Sequence, residues 1–360
     1  MTSKSVLIGV VVLVILVAAP IAYLRLRRAA PTPTTSPPPQ TEAPPTTVTI
    51  VDAAGRNVTI KLPVERIVVL NSDAAEAILI LGSKDKIVGV SDTVHKHAYL
   101  GMGDKAVIGS WKAPDYEKIA ELKPQIVISY AKWPGSELEE NLAPFNITVV
   151  RLDFYKPETF DSDLQKLAKI LGAEKKAEEF LAWRASITAL LEERIRDLSP
   201  EEKVRVYVEF GRKPWKTFSK GSATHQAIVA VGAINIAEGF NVSYPVVSGE
   251  WVLEQNPDVM VIADYGRVTG YDVENDTAVK ELREEFCTRP ELKETSAVKN
   301  GRVYVINSKL LGGSRTYIGE LYLAKWFYPD KFEDVDPETL LKEYFERWLG
   351  VTYKGIWVYP

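Results

Sequence analysis

Beyond residue 47, apolar positions recur with two alternating periods, two and then three to four, and this alternation organises the chain. Period-two runs lie at 66–70 (RIVVL), 87–91 (IVGVS), 146–152 (NITVVRL), 203–211 (KVRVYVEFG), 259–265 (VMVIADY) and 301–307 (GRVYVIN), and each predicts a strand. A helix is predicted over 73–81 with Gly82 ending it, and another over 224–231. The segment 115–130 (DYEKIAELKPQIVISY) reads as helix, proline, strand. Ahead of these, 47–63 alternates on both sides of an Ala-Gly-Arg-Asn centre, the mark of a hairpin. Strands interleaved with helices imply parallel pairing through crossovers, hence an α/β fold.

The longest helical pattern, 173–198, lies between two stretches built this way. Its residues Ala177, Phe180, Leu181, Trp183, Ile187, Leu190, Leu191, Ile195 and Leu198 form one stripe, with Glu, Lys and Arg opposite. Gly172 closes the preceding helix and Ser199-Pro200 ends this one, because proline lacks the amide donor and biases its neighbour away from helix. At ~1.5 Å per residue it spans roughly 37 Å. The two flanking stretches share a local unit at an offset of 133 positions. Glu117-Lys118-Ile119 and Lys123-Pro124-Gln125-Ile126-Val127-Ile128 match Glu250-Trp251-Val252 and Asn256-Pro257-Asp258-Val259-Met260-Val261. The predicted organisation is two α/β lobes, 48–172 and 199–360, with an inter-lobe helix at 173–198. Residues 336–349 add an amphipathic helix with Pro337 in its first turn, and 351–360 alternates like an edge strand.

Composition narrows the class. The 360 residues carry a formal net charge of −4, which leaves no basic footprint for nucleic acid. A single cysteine, Cys287, excludes a disulfide framework, and the three histidines, His95, His97 and His225, are few for a zinc or manganese site. No phosphate-binding glycine loop, Gly-X-Ser-X-Gly elbow or His-Glu-X-X-His supports an enzyme, and no intrinsic cofactor is implied.

Residues 5–24 are an uncharged apolar run of bilayer-spanning length, read with their flanks as a membrane anchor over 1–28; a cleaved signal peptide is the alternative. Arg25, Arg27 and Arg28 follow the run and by the positive-inside rule argue for the opposite orientation. Residues 29–47 are almost wholly Pro, Thr, Ser and Ala, the composition of an extended stalk. Sequons at Asn57, Asn146, Asn241 and Asn275 agree with an extracellular location.

The ordered segments ERIVVLNSDAAEAILILG, IVGVS, IGSWKAPDYEKIAELKPQIVISY, VRVYVEFG, SGEWVLEQNPDVMVI and GRVYVIN, flanking one long helix, resemble the class III solute-binding proteins of ABC importers, which capture cobalamin, ferric siderophores and haem. The resemblance implies two Rossmann-like lobes joined by a single rigid helix, a ligand cleft between them and small opening motions. It implies an iron or cobalt chelate as the transported ligand, and an ABC permease with its ATPase as partners. Glu76 and Glu250 match the surface glutamates that dock the permease. The cleft residues it implies are Trp111, Tyr130, Trp215, Phe218 and Tyr244 for stacking, with Arg315 and Arg267 for anionic groups; Arg212 and Lys213 lie in nearby loops. A zinc- or manganese-binding importer component, a surface enzyme and an adhesion protein on the same scaffold remain as alternatives.

Overall fold

The computed structural model describes residues 46–360. The expected anchor and nearly all of the stalk lie outside the described residues, among which no helix is long and apolar enough to cross a membrane. The chain opens with the antiparallel hairpin β1 (Thr47–Val51) and β2 (Asn57–Lys61). The first lobe follows as β3 (Ile67–Val69), α1 (Ser72–Ile80), β4 (Ile87–Val90), α2 (Asp92–Lys96), β5 (Ala106–Val107), α3 (Tyr116–Glu121), β6 (Ile126–Ser129), α4 (Glu137–Leu142), β7 (Thr148–Arg151) and α5 (Pro157–Leu171). Next comes the long helix α6 (Glu174–Ile195). The second lobe contains β8 (Arg205–Phe210), α7 (Ala223–Ala230), β9 (Ile234–Asn235), α8 (Gly249–Gln255), β10 (Val259–Asp264), α9 (Thr277–Cys287), α10 (Ser296–Lys299), β11 (Val303–Asn307), α11 (Thr316–Phe327), α12 (Pro337–Glu343) and β12 (Val358–Tyr359).

Each lobe has a five-stranded sheet, ordered β5-β4-β3-β6-β7 and β12-β11-β10-β8-β9. All pairings in the first are parallel, and in the second only β12, formed by the C-terminal tail, runs antiparallel on β11. The first strand of each lobe lies inside its sheet, with β4 and β5 on one side of β3 and β6 and β7 on the other, and with β9 on one side of β8 and β10, β11 and β12 on the other. The order therefore reverses beside β3 and beside β8, and the crevice at such a switch point lies beyond the carboxyl ends of the strands.

The strands are apolar on both faces because both faces are covered. In β10, Val259, Val261 and Ala263 join one cluster while Met260 and Ile262 join another; Ile67 and Val69 of β3 part in the same way from Val68. The inner faces of both sheets feed a single core that includes Ile78, Leu164, Phe180, Val206, Ile318, Tyr344 and Trp357. Residues 46–360 form one compact unit, in which α6 packs on α1 and α5 of the first lobe and on α11 of the second and buries Ala177, Phe180, Ile187 and Leu191.

Candidate functional site

Two neighbouring cavities open at the carboxyl ends of the strands. The first, about 430 Å³, is lined by Trp111, Tyr130, Lys132, Trp133, Asp153, Tyr155 and Lys156 of the first lobe. The second, about 330 Å³, lies between the lobes; Asp73 and Tyr155 face Phe218, Thr224, Tyr244, Tyr265 and Lys309 across it. Tyr155 belongs to both, so they form one trough.

The first wall is an edge-to-face series. Trp111 meets Tyr130 at 5.5 Å between ring centroids, and Tyr130 meets Tyr155 at 5.7 Å. Lys112 lies 4.9 Å from the Trp111 ring centre. On the facing wall Phe210 is sandwiched between Phe218 at 4.1 Å and Tyr265 at 5.3 Å, with Tyr244 at right angles to the stack and Lys216 above Phe210 at 5.1 Å. Trp133, Tyr155, Tyr244 and Tyr265 are 57%, 46%, 50% and 56% exposed, so their rings are surfaces offered to solvent rather than core.

Buried ions shape the first wall. The loop after β6 carries Tyr130 and Trp133, and the Arg151 guanidinium beneath it, 4% exposed, donates to the carbonyls of Tyr130 at 3.0 Å, Pro134 at 2.6 Å and Gly135 at 2.7 Å. Glu139 takes its remaining fork through bonds of 2.7 and 2.6 Å. Asp153 accepts the Ala131 amide at 2.8 Å. Planar, five-donor arginine fits this multiple carbonyl capture where lysine would not. Tyr130 donates its hydroxyl to Asp73 at 2.8 Å; burial first, then that carboxylate, raise its pKa, so the phenol stays protonated. Burial likewise pushes Tyr265 up to about 12.

Of the residues read from sequence, Trp111, Tyr130 and Tyr244 line the trough, and Phe218, only 1% exposed, backs the second wall. Trp215 does not reach it. Its indole packs in the outer core of the second lobe, with Arg289 stacked 5.3 Å above it, because the chain turns at a positive φ of 65° there. Arg267, Arg212 and Lys213 are exposed on loops and line neither cavity.

Two charged expectations are overturned together. Glu76 is not on the surface, and Arg315 is not in the cleft; they are 2% and 1% exposed and pair with each other at 3.1 Å. Glu76 also accepts from Ser314 at 2.5 Å, from Tyr99 at 3.2 Å and from Tyr344. Burial alone would raise its pKa, but Arg315, Ser314 and Tyr344 more than offset that and leave it lowered. The cause is the C-terminal segment. The π-helical turn Tyr344–Trp348 and the tail residue Trp357 fold over α1, and Arg315 lies 5.1 Å from the Trp357 ring centre. Glu250 is exposed in the first turn of α8, capped by Ser248. Its counterpart is Glu117, exposed in the first turn of α3, capped by Asp115. The two helices lead into β6 and β10, which hold equivalent places in the sheets, so the internal repeat already paired Glu117 with Glu250.

Among the described residues no group of three or more His, Cys, Asp or Glu side chains is placed to hold a metal ion. His225 sits on α7 with its ring 3.2 Å from the Asn235 amide, and His95 and His97 lie on and just after α2.

The periplasmic binding protein pattern matches residues 67–310, from the first strand of lobe one to the turn after β11. The chain belongs to the periplasmic binding protein family. Among its relatives are the molybdate-binding protein MolA of Haemophilus influenzae, 24% identical over 337 residues covering 85% of this chain and 92% of that one. The vitamin B12-binding protein of Salmonella typhimurium is 28% identical over 159 residues, 43% of this chain and 58% of that one. In three dimensions the chain is similar to the TroA-like periplasmic binding protein FepB from Veillonella parvula, with a TM-score of 0.73 at 25% identity over 87% of this chain and 99% of the other. As a member of this family the chain is a binding protein and not an enzyme.

Proposed function

We propose that this periplasmic binding protein captures a metal chelate, a corrinoid or a ferric siderophore, in the aromatic trough and hands it to an ABC permease driven by its ATPase. The observation that supports this reading most is the pair of facing aromatic walls, each with a lysine over its rings. Offset and edge-on ring contacts hold a conjugated ligand through its faces, at about 0.5–1.5 kcal/mol per pair beyond burial. A relative that binds vitamin B12 points the same way. A small oxyanion such as the molybdate bound by MolA would fill little of these two cavities. Glu117 and Glu250, equivalent acids on the two lobes, dock the permease through charge-assisted bonds to its arginines or lysines. Residues 1–28 anchor the protein and 29–47 hold it off the outer face of the membrane.

Trp111 and Trp133 line the trough and report on its occupancy. Titrating the purified chain with cobalamin, a ferric catecholate and molybdate should quench tryptophan emission with one of the first two and leave it unchanged with molybdate. A response to molybdate alone, or to none of the three, rejects the reading.

A further inference from the structure

Beside the trough lies a third cavity, about 340 Å³. It shares Tyr265, Ser308 and Lys309 with the inter-lobe cavity, so the two adjoin at these residues. Its other walls combine the rings of Tyr99 and Trp357 with the polar groups of His97, Thr269, Asp272 and Asn307.

The polar wall is built from buried parts. Asp264 is fully buried, and its Oδ2 accepts the backbone amides of Gly266, Arg267, Val268 and Thr269 at 3.0–3.1 Å. The same oxygen accepts the Thr269 hydroxyl at 2.7 Å, and Thr269 Oγ1 in turn accepts from the Asn307 amide at 3.0 Å. Asn307 Oδ1 accepts the backbone N–H of Lys309 at 2.9 Å, which fixes where the lysine leaves the chain. The Lys309 side chain is 38% exposed, and its ammonium stands 3.8 Å from Asp73 Oδ1, too far for a hydrogen bond. Among the described residues this is its one ionic partner, so the three donors at the junction of the two cavities are not saturated. Burial, and next the charge of Lys309, push His97 down to about 4, so the imidazole is neutral; the charged groups of the lining are Lys96, Lys309 and Asp272, the last paired with Lys354 at 3.2 Å.

We propose that the third cavity is a subsite for a polar, oxyanion-bearing arm of the ligand. A flat body lies in the aromatic trough, and a phosphate or carboxylate oxygen on its appendage takes the ammonium of Lys309 from Asp73. The inference rests on the reading of the trough given above and adds that the ligand has two parts. A trough without this annex would bind the flat body and ignore the arm.

The test is equilibrium binding to the full chain and to Lys309→Met, with matched probes that differ in the arm. Cobalamin carries a phosphodiester on its nucleotide arm and cobinamide lacks it; haem carries two carboxylates and its dimethyl ester none. In at least one pair the wild type should prefer the armed probe by tenfold or more. Lys309→Met should abolish that preference, bringing the affinity for the armed probe down to that for the armless one in a chain that still melts above the assay temperature. Thr269→Val, which removes the hydroxyl from the wall without touching the trough, should weaken only the armed probe. Equal binding within both pairs by the wild type, or a preference that survives Lys309→Met, overturns the subsite and leaves the trough standing. Failure of the wild type to bind any of the four overturns the subsite, and failure to bind a ferric catecholate as well overturns the trough.

Discussion

Replacing Arg315 with methionine tests whether the Glu76–Arg315 pair is an internal lock. The guanidinium is buried with the carboxylate 3.1 Å away, and the rings of Tyr99, Phe345 and Trp357 lie within 5.0–5.6 Å of it. Methionine keeps most of the apolar contact and removes the charge, leaving Glu76 buried among hydroxyls with no cation. Breaking a buried pair from one side costs about 3–5 kcal/mol, which at this size lowers the melting temperature by roughly 6–15 °C. The double variant Glu76→Leu with Arg315→Met should recover much of that loss, since removing both charges is often close to neutral. Acid supplies a second readout. The folded pKa of Glu76 is depressed below its ordinary 4.5, so its contribution is fully present above about that pH and is lost as pH falls through the folded value. Without Arg315 the depression disappears, so the gap between wild type and Arg315→Met should narrow on acidification from pH 7 to 3. Denaturant titrations at both pH values measure it, and ligand affinity at 20 °C should stay within twofold of wild type. A cost under about 1 kcal/mol, or a gap that does not change with pH, would refute the lock.

Arg151→Lys keeps one charge but cannot reach three carbonyls and Glu139 together; with each such bond worth about 1.5–3 kcal/mol, the loop of Tyr130 and Trp133 should loosen. Affinity for the quenching ligand should then fall about tenfold in a chain that is still folded at the assay temperature, and an unchanged Kd would remove Arg151 as a positioning residue. Burial pushes Glu320 up to about 7, so its charging penalises the fold as pH rises from the ordinary 4.5 through that value. Glu320→Gln should therefore raise the melting temperature at pH 8 and leave it nearly unchanged at pH 4, as scanning calorimetry at the two pH values would show. Glu117→Ala and Glu250→Ala should each depress uptake in a reconstituted importer without altering ligand Kd, whereas uptake at the wild-type rate in the double variant would place docking elsewhere.

Local order was legible because it is written in neighbouring residues. The two periods located every long strand, Gly82 closed α1, Pro124 marked the end of α3, and the stripe on 173–198 became α6 at Glu174–Ile195. The repeat at 133 positions already marked Glu117 as the partner of Glu250, although Glu76 was the residue read from the resemblance. Tyr265 was open to a similar reading, as the first residue after β10 just as Tyr130 is the first after β6. Other features no local pattern could supply. Glu76 and Arg315 stand 239 positions apart, and each looks like a surface charge until the C-terminal segment closes over them. Trp215 and Tyr244 are both loop aromatics, and only the path of the backbone sends one into the core and the other to the cleft. The sequence by itself determined the α/β class, the two sheets and the helix between them, because hydrophobic period and capping act over a few residues. The tertiary structure alone decided which charges are spent inside the protein and which, like Lys309, remain for a ligand, because burial is a property of what the distant chain brings alongside.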